Sequence, residues 1–126
     1  MTNNHERIKS ILNNFSVEGI SIPVAFMYYE AHSEPYIVWM QQDESNSYSG
    51  DDELLGVVEY YDFDVYSKGN YLTIIERLKA ILQQNGFKYQ PSRSSADLYE
   101  TDTGYYHRTI NFAILKNIEE EEIFSG

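Results

Sequence analysis

Two stretches of the chain carry apolar residues at the spacing of an amphipathic helix. The first predicts a helix over residues 4–15, with Asn3 and Glu6 as its N-terminal capping pair. The second predicts a helix that begins at an Asn70 cap and ends at Gly86, in the left-handed position after the last turn. The apolar stripes are Ile8, Ile11, Leu12 and Phe15 in the first and Leu72, Ile75, Leu78, Ile81 and Leu82 in the second.

Between these helices, three apolar runs predict β-strands. Residues 24–29 and 36–40 are apolar on both faces at their centres. With a turn at 33–35 between them, they predict a hairpin of two interior strands. Residues 57–66 predict one long strand on which alternate residues face opposite ways. Tyr61, Phe63 and Val65 then face one side of the sheet, and Tyr60, Asp62 and Asp64 the other.

Three more strands are predicted after the second helix. One begins at residues 87–89, and a hairpin joins 97–100 to 105–116 through Asp102 and Gly104, which favour turns. On the last strand the core-facing set is Ile110, Phe112 and Ile114, and the opposite set is His107, Thr109 and Asn111. The order α-β-β-β-α-β-β-β predicts a single α+β domain over residues 1–126, with a mostly antiparallel or mixed sheet flanked by two helices.

Charge and composition argue against several classes of function. The 126-residue chain has 20 acidic and 9 basic residues, a net charge of −11, so it repels phosphate backbones and is not expected to bind nucleic acid. It has no cysteine, which excludes disulfides and thiolate chemistry and fits a reducing cytoplasm. Residues 1–10 lack the order of a signal peptide, and no apolar run approaches the roughly 20 residues that span a bilayer.

Two acidic segments are predicted to be solvated. Residues 43–53 are expected to form a flexible acidic loop, and an acidic tail is expected from about residue 117, around Glu119–Glu122. Oxygen-bearing side chains alternate in the loop as they do in a calcium loop. However, Tyr48 stands where the sharp turn needs glycine and Leu54 where a bidentate glutamate is required. We therefore predict no calcium site there.

The histidines and the absence of known motifs argue against catalysis. His5 and His32 are expected on the surface. His107 lies close in sequence to Asp97, Glu100 and Asp102, which favours a cross-strand pair that stabilises the hairpin over a catalytic dyad. The chain contains neither a phosphate-binding glycine loop nor a nucleophile elbow. We predict that the protein is not an enzyme and holds no metal or cofactor.

Three consecutive stretches are informative when they are taken together. They are a strand that breaks into a helix over residues 60–70, that helix over 74–87, and an acidic hairpin over 97–108 followed by Ile110-Asn111-Phe112. In this order they resemble the small tail-terminator or tail-completion proteins of long-tailed phages and prophages, the group related to the lambda-like tail terminator. The likeness covers about residues 57–116.

The resemblance implies a structural particle component. Such proteins assemble as a hexameric ring on the finished tail tube, stop further addition of tube subunits and present the surface that docks to the head connector or completion protein. DNA passes through the lumen without specific binding. The expected location is the host cytoplasm during assembly and then the virion, with no membrane contact.

The resemblance also implies where subunit contacts lie, namely on the strand at 57–66 and the hairpin at 97–114. The loop at 43–53 would extend toward the tube, the connector or the lumen. Two alternatives stay open, a head-completion or minor capsid protein of the neck and a small non-catalytic binding module with a Tyr-rich sheet. The predicted interface residues are Tyr60, Asp62, Asp64, Tyr66, Glu100, Asp102, Tyr105, His107 and Arg108.

Overall fold

The computed structural model describes residues 3–29, 34–48, 54–69 and 71–117. Within these ranges the chain has an α+β fold with two helices and a mixed sheet. The helices are α1 (Asn4–Ile11) and α2 (Leu72–Gln84), and a short 3₁₀ helix spans Pro91–Arg93. The strands are β1 (Ser16–Val17), β2 (Ile20–Ser21), β3 (Val24–Phe26), β4 (Tyr36–Tyr48), β5 (Leu54–Ser67), β6 (Lys88–Tyr89), β7 (Leu98–Glu100) and β8 (Tyr105–Asn117).

Three long antiparallel strands form the centre of the main sheet. Its order is β3-β4-β5-β8-β6, and β7 pairs with another part of β8. Within the described residues β1 and β2 form a separate small hairpin. Because β5 has 14 residues, it spans about 46 Å, whereas the 13-residue helix α2 spans about 20 Å. The central strands are therefore much longer than the helix that packs on them.

The predicted hairpin between residues 24–29 and 36–40 is wrong, because β3 and β4 are parallel. Val24 lies opposite Ile37 and Phe26 opposite Trp39. The Ile37 N–H donates to the Pro23 carbonyl, and the Met27 N–H donates to the Trp39 carbonyl. β3 has only three residues, so the parallel pairing with β4 is limited to Ile37–Trp39.

The predicted acidic loop at 43–53 is also wrong over its first half. Residues 43–48 continue β4, with Ser45 opposite Val58 and Asn46 opposite Val57. Pairing with the valines of β5 outweighs the low strand propensity of the polar residues. Residues 49–53, Asn70 and the predicted tail from residue 118 lie outside the described residues.

Helix boundaries follow local chemistry. The Asn3 side chain accepts a hydrogen bond from the Glu6 N–H at 2.8 Å, which confirms the predicted cap of α1. α1 ends at Ile11, earlier than predicted, and Asn14 adopts a left-handed conformation with φ 57° that no helix can continue through. Gly86 has φ 89°, and its N–H donates to the Gln83 carbonyl, as predicted for the end of α2.

One face of the sheet and both helices share a single core. Alternate residues of β5 and β8 point into it, and the Phe63 and Phe112 rings meet edge to face at 5.7 Å. The predicted inward orientation of Tyr61, Phe63 and Val65 is confirmed. The fully buried side chains of this core include Trp39, Tyr61, Phe63, Val65, Ile75, Leu78, Leu82, Ile110 and Phe112.

We expect Phe63→Ala to lower the free energy of unfolding by about 3–5 kcal/mol, because it leaves a cavity at the centre of this core. Leu115→Ala, at a position 48% exposed on β8, is the matched control and should cost less than about 0.5 kcal/mol. Urea unfolding monitored by circular dichroism measures both. Equal losses would show that Phe63 does not organise the core.

Candidate interaction surfaces

A row of stacked rings crosses the face of the sheet that faces away from this core. Tyr36, Tyr66 and His107 are direct neighbours on β4, β5 and β8. The Tyr36 and Tyr66 ring centroids are 4.8 Å apart, and those of Tyr66 and His107 are 4.3 Å apart. Tyr29 packs on Tyr36, and Tyr105 meets Tyr36 and Tyr66 edge-on. Burial, helped by Asp64, raises the pKa of Tyr66 to about 12, so its phenol stays neutral at physiological pH.

Two half-buried aspartates of β5 lie on the same face. The Asn111 side-chain amide donates to Asp62 Oδ1 at 2.7 Å, and the Thr109 hydroxyl donates to Asp64 Oδ1 at 2.5 Å. Desolvation raises the pKa of Asp62, and Asp64 adds to this, while the bond from Asn111 opposes it. These carboxylates accept hydrogen bonds from neighbouring side chains of the sheet. Their role in subunit contacts stays a prediction.

His107 lies between two carboxylates on different neighbouring strands. Its Nε2 is 3.7 Å from Asp64 Oδ1, and its Nδ1 is 3.8 Å from Glu100 Oε1. Both distances exceed a hydrogen bond, so any pairing is electrostatic. The sequence named Glu100 as one candidate partner, but it did not anticipate Asp64, because that residue comes close only through the pairing of β5 with β8.

Arg93 covers Tyr60 at one side of this face. The guanidinium carbon lies 3.6 Å from the centroid of the Tyr60 ring, and Nη1 lies 3.3 Å from Asp43 Oδ2. On β8 the residue opposite Tyr60 is Ala113, and Arg93 is carried by the 3₁₀ helix. Tyr60 is therefore engaged within the chain, and Arg93 had no part in the predicted interface.

Two of the predicted interface residues lie elsewhere. Arg108 pairs with Val65, so it is on the core-facing side of β8, and its Nε is 3.8 Å from Asp97 Oδ1. Asp102 is exposed in the turn between β7 and β8. The structure brings together on one face Tyr60, Asp62, Asp64, Tyr66, Glu100, Tyr105 and His107.

Sequence reasoning missed an apolar surface at the β3 edge of the sheet. Phe26, Met27 and Tyr28 are 43%, 56% and 71% exposed. Met27 has φ 68°, and the Tyr28 N–H donates to the Phe26 carbonyl at 2.7 Å, which closes a tight three-residue turn. That conformation is uncommon for a bulky residue. The apolar run at 24–29 looks like a buried strand in the sequence, so no local signal distinguishes this turn.

A groove of about 450 Å³ adjoins this surface, between the end of α1, β2 and β3. Phe26 belongs to both the groove and the exposed surface. Lys9 is the charged residue among those that line the groove. Its apolar walls are formed by Leu12, Phe15, Ile22, Val24 and Trp39. We call Phe26–Tyr28 together with this groove the β3 surface.

The opposite edge of the sheet carries a second exposed apolar surface. Leu98 and Tyr99 of β7 are 49% and 55% exposed, and Tyr99 packs on the half-exposed Tyr106 of β8 at 4.9 Å. The carboxylates of Asp97 and Glu100 flank these residues. We call these five residues the β7 surface, which differs from the β3 surface in both shape and charge.

A buried polar cluster lies on the core side of β5. Glu59 accepts hydrogen bonds from the Asn4 side-chain amide at 2.7 Å and from the Tyr61 hydroxyl at 2.9 Å. Burial and Glu59 raise the pKa of Tyr61 strongly, so its hydroxyl keeps the proton that it donates. His5 packs against Trp39 and Tyr61, so its expected surface position is wrong because α1 turns it toward the core. His32 lies outside the described residues.

Within the ranges described above, no group of three or more histidine and carboxylate side chains is placed to hold a metal ion. Over the same residues, no helix has the length and apolar character that crossing a membrane requires. No protein-family model matches the chain, and no curated protein matches it significantly.

The raised pKa of Asp62 predicts a pH dependence of stability. A carboxyl whose pKa is higher in the folded than in the unfolded chain stabilises the fold while protonated, and this contribution is lost as the pH rises through its folded pKa. We expect Asp62→Asn and wild type to be alike well below pH 3.8, the ordinary value. The variant should become the more stable of the two toward neutral pH. Urea unfolding across this range measures the difference, and a constant difference would contradict the prediction.

The turn at Met27 predicts different outcomes for two truncations. Glycine accepts a positive φ, whereas alanine does not, so Met27→Gly should be more stable than Met27→Ala by about 1 kcal/mol. Both changes remove the exposed side chain, and each is therefore the other's control. Thermal and urea unfolding provide the comparison. An alanine variant as stable as the glycine variant would mean that the turn imposes no strain.

Proposed function

We propose that this protein is a non-catalytic subunit of a ring that caps the tail tube of a long-tailed phage or prophage particle. In this role it ends tube elongation and forms the surface that joins the tail to the head. The partners are further copies of the chain, the tail tube protein and a head connector or completion protein. The ring we propose is a hexamer, and DNA crosses its lumen without specific binding.

The observation that carries the proposal is the presence of two unlike apolar surfaces at opposite edges of one sheet. A ring is built from heterologous contacts, in which one surface of a subunit binds a different surface of the next. Exposed sheet edges with large apolar side chains are ordinarily covered or broken by charges in proteins that act alone. Here the edge at Tyr28 and the edge at Tyr99 are both apolar and exposed.

Charge and strand length support the same role. A net charge of −11 suits a lumen through which DNA slides without adhering. The distal half of β4 carries the exposed polar residues 43–46, which pair with β5 after a register shift between Gln41 and Asp43. This extension offers a separate surface for the tube or the connector, apart from the two sheet edges.

A second candidate function draws on the groove. At about 450 Å³ and lined by both apolar and polar residues, it has the size of a site for a small ligand or peptide side chains. A small binding module would use it for a partner other than a copy of this chain. A head-side neck protein would use the same surfaces at another level of the particle.

The test of the proposed function is electron microscopy of particles produced without this gene. We expect overlong or irregular tails that are detached from filled heads, because nothing would stop tube growth or complete the joint. Expression of the wild-type chain in trans should restore normal particles. Expression of Phe63→Asp, which introduces an unpaired charge into the core, should not restore them.

The other outcomes are equally informative. Normal tails beside empty or leaking heads would move the protein to the head side of the neck. Normal particles throughout would overturn the structural role and favour the binding module.

A further inference from the structure

We propose that the β3 surface of one copy binds the β7 surface of the next copy, so that subunits join head to tail through the edges of their sheets. The inference rests on the proposed ring but names its contact surfaces, of which the β7 surface lies within the predicted hairpin at 97–114 and the β3 surface was not predicted from the sequence. It commits to a second copy of this chain as the occupant of the groove.

Both sheet edges present backbone groups on the side away from the rest of the sheet. Pro23 and Met27, on either side of β3, form backbone hydrogen bonds with β4. Because successive residues of a strand direct their backbone groups to opposite edges, the N–H and C=O of Val24 point away from β4. β7 pairs on one side with β8 through three residues. Among the described strands, none pairs with the other side of β3 or of β7. Edges of this kind accept a strand from another molecule.

An exposed aromatic side chain on the β7 surface matches the groove of the β3 surface. Interfaces are dominated by a few aromatic side chains that fill well-packed pockets. Tyr99 projects such a ring, 55% exposed, from the β7 surface. The groove beside Phe26, lined by apolar residues together with Asn13, Asn14 and Ser21, lies next to the three outward side chains of the Met27 turn. A strained turn that holds apolar groups in solvent is typical of a functional surface.

The β3 and β7 surfaces carry opposite charges. The groove contributes Lys9. The β7 surface contributes Asp97 and Glu100, whose side chains are 62% and 42% exposed. A β3–β7 contact brings opposite charges together. A symmetric β3–β3 contact would instead oppose two lysines, and a β7–β7 contact would oppose four carboxylates, so the head-to-tail arrangement is the favoured one.

The absence of native cysteine makes disulfide cross-linking the direct test. Two full-length single variants, Tyr28→Cys and Leu98→Cys, are purified separately, mixed in equal amounts and oxidised over a series of protein concentrations, so that the Tyr99 anchor stays in place. Both positions are exposed, so folding should be preserved, which circular dichroism checks. The matched control replaces Leu98→Cys by Leu115→Cys, because Leu98 and Leu115 are 49% and 48% exposed.

We expect a disulfide between the two different variants to form at least about tenfold faster than in either variant alone or with the control, because the contact raises the effective thiol concentration. The double variant Tyr28→Cys/Leu98→Cys should give a ladder of covalent oligomers. Dimers of one variant with itself, or cross-linking no faster than with Leu115→Cys, would overturn the proposed contact.

The two proposals fail in different ways. Cross-linking of the purified protein reports the contact between copies whatever particle they belong to, whereas microscopy reports the role in the tail. Cross-linking with normal particles would leave the contact and remove the tail function. Defective tails without cross-linking would leave the function and place the subunit contact on another surface.

Discussion

The core of this protein depends on a strict alternation along β5 and β8. Alternate side chains of both strands are buried against α1 and α2, and the intervening residues point to the opposite face. Because the side-chain period of a strand is two, a slip of one residue between β5 and β8 would turn over the side chains of one strand and expose either Phe63 or Phe112. The register therefore also determines which polar groups meet on the opposite face.

The face opposite the core is stabilised by pairs of side chains and, at one side, by Arg93 of the 3₁₀ helix, which covers Tyr60. Asp62 with Asn111 and Asp64 with Thr109 satisfy polar groups that the sheet partly removes from water. The stacked rings of Tyr36, Tyr66 and His107 cover the adjoining strip with apolar area while keeping polar atoms at its rim. The pairing is incomplete within the described residues, because Asn111 Oδ1 and His107 Nε2 on this face are buried without a hydrogen-bond partner.

Among the described residues, no strand pairs with the outer side of β3 or of β7. β3 is short and parallel to β4, and the turn at Met27 holds Phe26 and Tyr28 outward beside the groove. β7 places Leu98 and Tyr99 at the opposite edge with carboxylates next to them. Two surfaces of unlike shape and opposite charge on one chain are the physical basis of both the proposed ring and the proposed head-to-tail contact.

The sequence by itself determined the features that depend on neighbouring residues in the chain. The inward residues of β5 and β8, the Asn3 cap and the turn glycines Gly86 and Gly104 follow from the period of a strand, a hydrogen bond within one turn and the steric freedom of glycine. The α+β class with two helices and a mixed sheet follows from the same periodicity.

Only the tertiary structure decided the parallel pairing of β3, the extension of β4 to Tyr48 and the approach of Asp64 to His107. It also decided the exposure of Tyr28, which lies in an apolar run that resembles a buried strand. Each of these depends on which distant segment lies alongside. Hydrophobic periodicity defines the face that a strand buries, but it carries no information on the direction or identity of the neighbouring strand.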